Sequence, residues 1–176
     1  MRTPQRGFTF IETGATLAIL AIAATLAIPG FQDLLQRRHT EGVATELATD
    51  LQFLRSEAVA RNQTLRASFV TLPSGGSCYL LHSGAAAACG CQADGSPSCS
   101  GEAQQIKAVP LPAGSRVSVQ ANVGSIVYDP RHGTSTPAAT IRVTGLDGRA
   151  VHHVVNIMGR VRSCSPRAEF GGYRAC

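Results

Sequence analysis

The 176-residue chain has no tryptophan, and only three tyrosines and six phenylalanines, so a folded core must be built mainly from Val, Leu, Ile and Ala. It also lacks the usual marks of catalysis. No nucleophile elbow, phosphate loop or paired-carboxylate pattern occurs. His39, His82, His132, His152 and His153 do not stand at metal-ligand spacing with carboxylates, and Cys89-Gly90-Cys91 is not one of the paired C-x2-C elements that zinc requires. No internal repeat is visible. These absences point away from an enzyme, a bound metal or a cofactor, and toward a binding or structural chain.

The longest absence is of charge itself. Sixteen residues, Thr13 to Ile28, carry none, and Pro29 follows. Directly before this stretch stands Gly7-Phe8-Thr9-Phe10-Ile11-Glu12. Phe8 to Ile28 is 21 residues, enough at about 1.5 Å per residue to cross a hydrocarbon layer of ~30 Å. A charge inside lipid costs ~2.5–3.5 kcal/mol, so Glu12 is expected to have a partner. Arg2 and Arg6 give the first seven residues a positive charge with no acid. A secretory signal would be cut after its apolar stretch, but no convincing Ala-x-Ala-like site lies near Ile28. A cut at Gly7 instead removes the charges and keeps the apolar helix.

These residues resemble the class III leader of type IV pilins and type II secretion pseudopilins. The resemblance implies that a prepilin peptidase cuts between Gly7 and Phe8 and methylates Phe8. It further implies that Glu12 pairs with a neighbouring subunit's N-terminal amine during assembly, and that Pro29 kinks or melts the first helix. The implied partners are other pilins or pseudopilins in a filament, prepilin peptidase, and inner-membrane lipid before assembly. The implied location is the bacterial inner membrane as a single pass, with the C-terminal domain in the periplasm, and then a periplasmic or surface filament.

The expected organisation is a leader at 1–7, a membrane-spanning half-helix at 8–30, an amphipathic half at 31–62, and a β-rich domain at 63–176 with a basic tail. Val43, Leu47, Leu51, Leu54 and Ala58 follow helical spacing and form one apolar stripe. Arg37, Arg38, Glu46, Asp50, Arg55 and Glu57 are expected on a solvated face. After Asn62 the period changes to two: Leu65, Ala67 and Phe69 alternate with Arg66 and Ser68. Further strands are expected at Cys78–His82, Gln105–Val109, Arg116–Gln120, Ser125–Tyr128, Thr140–Thr144 and Ala150–Ile157. Leu146-Asp147-Gly148 reads as a hairpin turn, and Gly84–Gly101 as a long loop. The predicted class is α+β: a pilin-like fold with a long N-terminal helix packed on an antiparallel sheet.

An exported domain with an even number of cysteines is expected to form disulfides. Cys164 and Cys176 lie apart from the others and would close a short C-terminal loop. Cys78 would then pair with one of Cys89, Cys91 and Cys99, and the remaining two with each other. The spacing leaves that choice open.

Charge is distributed unevenly. Phe8 to Ile141 hold eight basic and nine acidic side chains, whereas Arg142 to Cys176 hold six arginines against Asp147 and Glu169. Within the tail stands Met158-Gly159-Arg160-Val161-Arg162-Ser163-Cys164. In extended chain Arg160 and Arg162 share a face, about 6.6 Å apart, with Val161 turned inward. Arg167 and Arg174 follow inside the expected Cys164–Cys176 loop. Guanidiniums present fixed, planar donors that suit phosphate. This Gly-Arg-x-Arg element resembles that of FimT-like members of the GspH/FimT minor-pilin family, which implies non-sequence-specific DNA binding by Arg160, Arg162, Arg167 and Arg174 in DNA uptake for natural transformation. Phe170 and Tyr173 are candidates for stacking on unpaired bases, with packing of the loop as their ordinary structural role. Two other roles share the same leader: a GspH-like pseudopilin of type II secretion, and a minor pilin that primes pilus assembly without touching DNA.

Overall fold

The computed structural model describes Gly7 and residues 9–176. Phe8, the expected methylation site, and residues 1–6 of the expected leader lie outside the described residues, as does the side chain of Pro29. The chain divides into two compact units, residues 1–35 and 36–176.

One helix, α1, runs from Phe10 to Ala60 and continues through position 29. Thr9 caps its start: the Thr9 hydroxyl oxygen accepts the Glu12 amide at 3.3 Å. Thr9 is therefore the N-cap residue, and an acid in the first turn also favours the positive end of the helix dipole. In the first unit the described apolar side chains are exposed, from Phe10 at 93% to Leu35 at 53%. This segment is long and apolar enough to cross a membrane.

The helix ends where Asn62 adopts a left-handed backbone (φ 49°) and the amide of Gln63 turns back to the carbonyl of Ala58 at 3.1 Å. In the second unit Val43, Leu47, Leu51, Leu54 and Ala58 are all buried, together with Ala44. The expected stripe is thus the face that packs. Fully burying one such leucine is worth about 1.5–3 kcal/mol.

Twelve strands follow among the described residues. They are β1 (Leu65–Thr71), β2 (Gly76–Ser83), β3 (Cys89–Cys91), β4 (Pro97–Cys99), β5 (Gln105–Pro112) and β6 (Val117–Ala121). The rest are β7 (Ser125–Tyr128), β8 (Ser135–Thr136), β9 (Ala139–Gly145), β10 (Ala150–Val155), β11 (Val161–Ser165) and β12 (Arg174–Ala175). They form two five-stranded sheets, β5-β2-β1-β7-β8 and β12-β11-β10-β9-β6, and a small β3-β4 ladder. Pairing is antiparallel except between β11 and β12. The fold is the expected pilin-like α+β arrangement, with its strands shared between two sheets. One core joins them: Leu47, Leu51 and Leu54 of α1 meet Tyr79 and Leu81 of the first sheet and Val143 and Val151 of the second. Two buried serines stitch the sheets together. The Ser77 hydroxyl accepts the Val119 amide at 2.7 Å, and Ser135 bonds to the carbonyls of Asn156 and Ile157.

Several elements differ from expectation. Arg116 has a left-handed backbone (φ 60°) and precedes β6 instead of opening it. Residues Asn156 to Gly159 form a turn, so β10 stops at Val155. The Gly84–Gly101 segment contains the β3-β4 ladder, which is tied by Cys89–Cys99 within it and by Cys78–Cys91 to β2. Cys164–Cys176 closes the C-terminal loop. Two of the charges expected on a solvated face are otherwise engaged. Asp50 is buried and accepts hydrogen bonds from the Tyr79 hydroxyl (2.8 Å) and from Lys107, which also bonds Glu46. Burial and the Asp50 hydrogen bond push the Tyr79 hydroxyl well above the usual phenol range. The Arg55 Nε donates to the carbonyl of Gly133 at 2.8 Å.

Candidate functional site

The Gly-Arg-x-Arg element sits where β10 reverses into β11. The reversal is a three-residue loop, Ile157-Met158-Gly159, with Gly159 at φ +72°. Its amide bonds the Asn156 carbonyl at 2.8 Å, and the Asn156 side chain accepts the Arg160 amide at 2.9 Å. This is the hairpin class that ends in a left-handed glycine. A side chain at Gly159 would also run into the carbonyl of Gly133 and the guanidinium of Arg55. The glycine of the motif is therefore a backbone requirement, and its arginines leave the turn in a fixed direction. From the first sheet Ser135 clamps the same turn, its amide to the Ile157 carbonyl at 3.0 Å and its hydroxyl to the Asn156 carbonyl at 2.6 Å. Neither Ser135 nor the Arg55–Gly133 contact announces itself in the sequence, because both act across the fold.

Beyond the turn the alternation is as expected. Arg160 and Arg162 are exposed, and Val161 packs against the core. They also border a groove of about 670 Å³ between the C-terminal part of α1 and the turn at His132, lined by Gln52, Arg55 and Val59 on the helix side. The register extends the outward face across the second sheet. Arg174 lies opposite Cys164, Cys164 opposite His152, and His152 opposite Arg142. One row along, Arg162 lies opposite Val154, and Val154 opposite Thr140. Paired residues share a face, so Arg142, Arg162 and Arg174 all point outward. Arg142 lay outside the expected site because it opens the basic tail well before the Gly-Arg-x-Arg element and the Cys164–Cys176 loop. Its signal was the alternation of Ile141 and Val143 around it.

Ion pairing separates these arginines from the others of the tail. Arg149 pairs with Asp147 at 3.5 Å, and Arg167 with Glu169 at 3.6 Å. Among the described residues, Arg142, Arg160, Arg162 and Arg174 form no ion pair. Arg167 stays 80% exposed, and such surface pairs are worth at most about 1 kcal/mol, so its charge remains accessible.

The Cys164–Cys176 loop is docked on α1. Phe170 is buried, with its ring edge-on to Tyr173 at 6.3 Å and the Arg37 guanidinium 5.7 Å from its centroid. Tyr173 meets Thr45 through its hydroxyl at 3.4 Å. Phe170 is thus a packing residue and unavailable as a base-stacking platform. The two adjacent histidines point to opposite faces, as the strand period requires. His153 is buried with Nδ1 on Ser163 at 2.8 Å, and burial lowers it to about 4. His152 on the outward face is lowered by partial burial and then by the nearby Arg142 guanidinium. Among the described residues no cluster of His, Cys, Asp and Glu could hold a metal.

This geometry can be set beside known proteins. The family described as Type II transport protein GspH matches residues 43–159, from the packed half of α1 to the glycine of the motif. The chain belongs to the GspH family. The GspH match stops just short of Arg160, so the outward arginines of β11 and β12 lie beyond it. In structure the chain is similar to the type IV minor pilin FimU of Pseudomonas aeruginosa, at 17% identity and a TM-score of 0.50, over 72% of this chain and 88% of that one. A second crystal form of FimU gives the same score over 74% and 99%. That likeness carries the fold. In sequence, 44 residues are 43% identical to the type IV major alpha-pilin and to fimbrial protein Q, both of Moraxella bovis. The matched stretch is 25% of this chain and spans 28% of each of those relatives. The protein is a pilin-like member of the GspH family.

Proposed function

We propose that this GspH-family chain is a minor pilin that binds DNA, independently of sequence, for uptake in natural transformation. The observation that carries this reading is the set of exposed arginines, Arg160, Arg162 and Arg174, that find no carboxylate among the described residues. Arg167 supports them from the docked loop. Such a set recognises phosphate through charge-assisted hydrogen bonds and releases counterions on binding. Single-domain affinity is weak, and several copies in one filament supply avidity.

In the same reading residues 1–7 are the leader, cut by prepilin peptidase after Gly7, and Phe8 is the methylated N-terminus. Residues 8–30 hold the chain in the inner membrane, with Pro29 as the kink, 31–62 form the amphipathic half-helix, and 63–176 are the periplasmic domain. Glu12 pairs with a neighbour's N-terminal amine when the subunit enters the filament. Its place three residues after the Thr9 cap is compatible with this, since capping uses its backbone amide and leaves the carboxylate available.

The test is a titration of the full chain in non-ionic detergent with short duplex DNA. The Arg160→Ala/Arg162→Ala double variant is expected to bind at least tenfold more weakly while unfolding at the same urea concentration. Equal binding by the two proteins would refute the assignment. A second reading, a type II secretion pseudopilin with protein contacts only, is favoured by the description of the matching family. It predicts no DNA binding by either protein.

A further inference from the structure

The sequence places the candidate ligand site in the tail, but the register of the second sheet does not stop there. Along β9, Ile141 and Val143 are buried and Arg142 between them is exposed. With neighbouring strands about 4.8 Å apart, Arg142 lies roughly 14 Å from Arg174 across the face, with Arg162 one row away. The side chains between them are small or polar: His152, Val154, Thr140 and the Cys164 disulfide, with Gln120 beyond. The face is thus cationic, spread in two dimensions, and carries no Phe, Tyr or Trp on which an unpaired base could stack. Four guanidiniums share it, counting Arg160 at its corner, and the two acids between Arg142 and Cys176, Asp147 and Glu169, are engaged by Arg149 and Arg167. A surface built for solubility mixes both signs, whereas a single-sign field attracts a polyanion.

We propose that Arg142 is a further phosphate-contacting residue, and that the DNA footprint crosses the outward face of the second sheet from Arg174 and Arg162 to Arg142. This rests on the DNA reading given above. Each phosphate contact contributes about 0.9 to the slope of log affinity against log salt, which makes the footprint countable.

The experiment compares the full chain in non-ionic detergent with its Arg142→Gln variant, on two duplexes of unrelated sequence across a salt series. Arg38→Gln on α1 makes the same charge change away from the face and serves as control. Arg142→Gln is expected to weaken binding equally on both duplexes, by a factor of about 3–10, and to reduce the slope by about 0.9. Arg38→Gln should leave the slope as it is. If Arg142→Gln keeps the parent slope while the Arg160/Arg162 double variant loses binding, the wider footprint is overturned and the tail site stands. If Arg38→Gln reduces the slope as much, net charge and not the face is responsible, and the proposal fails. Should the parent bind phosphatidylglycerol vesicles and no duplex, the DNA reading falls and the footprint with it.

Discussion

The two five-stranded sheets share one core but use charge in opposite ways. In the first, the charges are held by the fold: Lys107 on β5 bridges Glu46 and the buried Asp50 of α1, Tyr79 on β2 donates to the same carboxylate, and Arg66 on β1 donates to the Ser125 hydroxyl and the Gly84 carbonyl. In the second, the inward face admits no charge, for its one ionisable side chain there, His153, is held neutral by burial. Its arginines all point out, and those on β9, β11 and β12 find no acid. Charges of the first sheet therefore act on stability, and those of the second on what the protein meets. An outward arginine costs the fold little, which is why such a face can be shaped for a ligand.

The largest expected effect tests the inward face of the second sheet. Burial depresses His153 to about 4 from ~6.5 in the unfolded chain. Between those values the unfolded chain binds more protons, so stability is full above about pH 6.5 and is lost as pH falls toward 4, by roughly 3 kcal/mol from this ring. Urea midpoints at pH 7 and 4.5 should fall less in His153→Phe than in the parent; parallel losses would contradict the assignment. Next comes the first sheet: Asp50→Ala strands the Tyr79 hydroxyl and Lys107 and should cost about 2–3 kcal/mol at pH 7 in the same assay. Gly159→Ala, forced into a left-handed backbone against Gly133, should cost about 1–2 kcal/mol and also misdirect Arg160. The smallest change is predicted for Arg160→Ala/Arg162→Ala, within about 0.5 kcal/mol of the parent. A larger loss would place these arginines with the structural charges of the first sheet.

Much of this was legible in the chain. The apolar stripe from Val43 to Ala58 named the packed face of α1, because helical spacing alone decides which residues align. The alternation around Val161 gave the direction of Arg160 and Arg162. What spacing could not supply was partnership across the fold. Asp50 read as a surface charge until Tyr79 and Lys107 were seen to meet it. Phe170 read equally as a base-stacking platform or as packing for the loop until the docked loop was seen to bury it against Arg37 and Tyr173. Arg142 was one arginine among many until strand order placed it on the same face as Arg162 and Arg174. In each case the deciding fact is a contact between residues remote in sequence, which no local period encodes.

The central claim is that the outward arginines of the second sheet grip phosphate. It is tested most directly by the salt dependence of duplex binding by the full chain. Four contacts predict a log–log slope of about −3.5, with affinity collapsing as salt rises. A slope near zero, or no binding at low salt, would contradict the account.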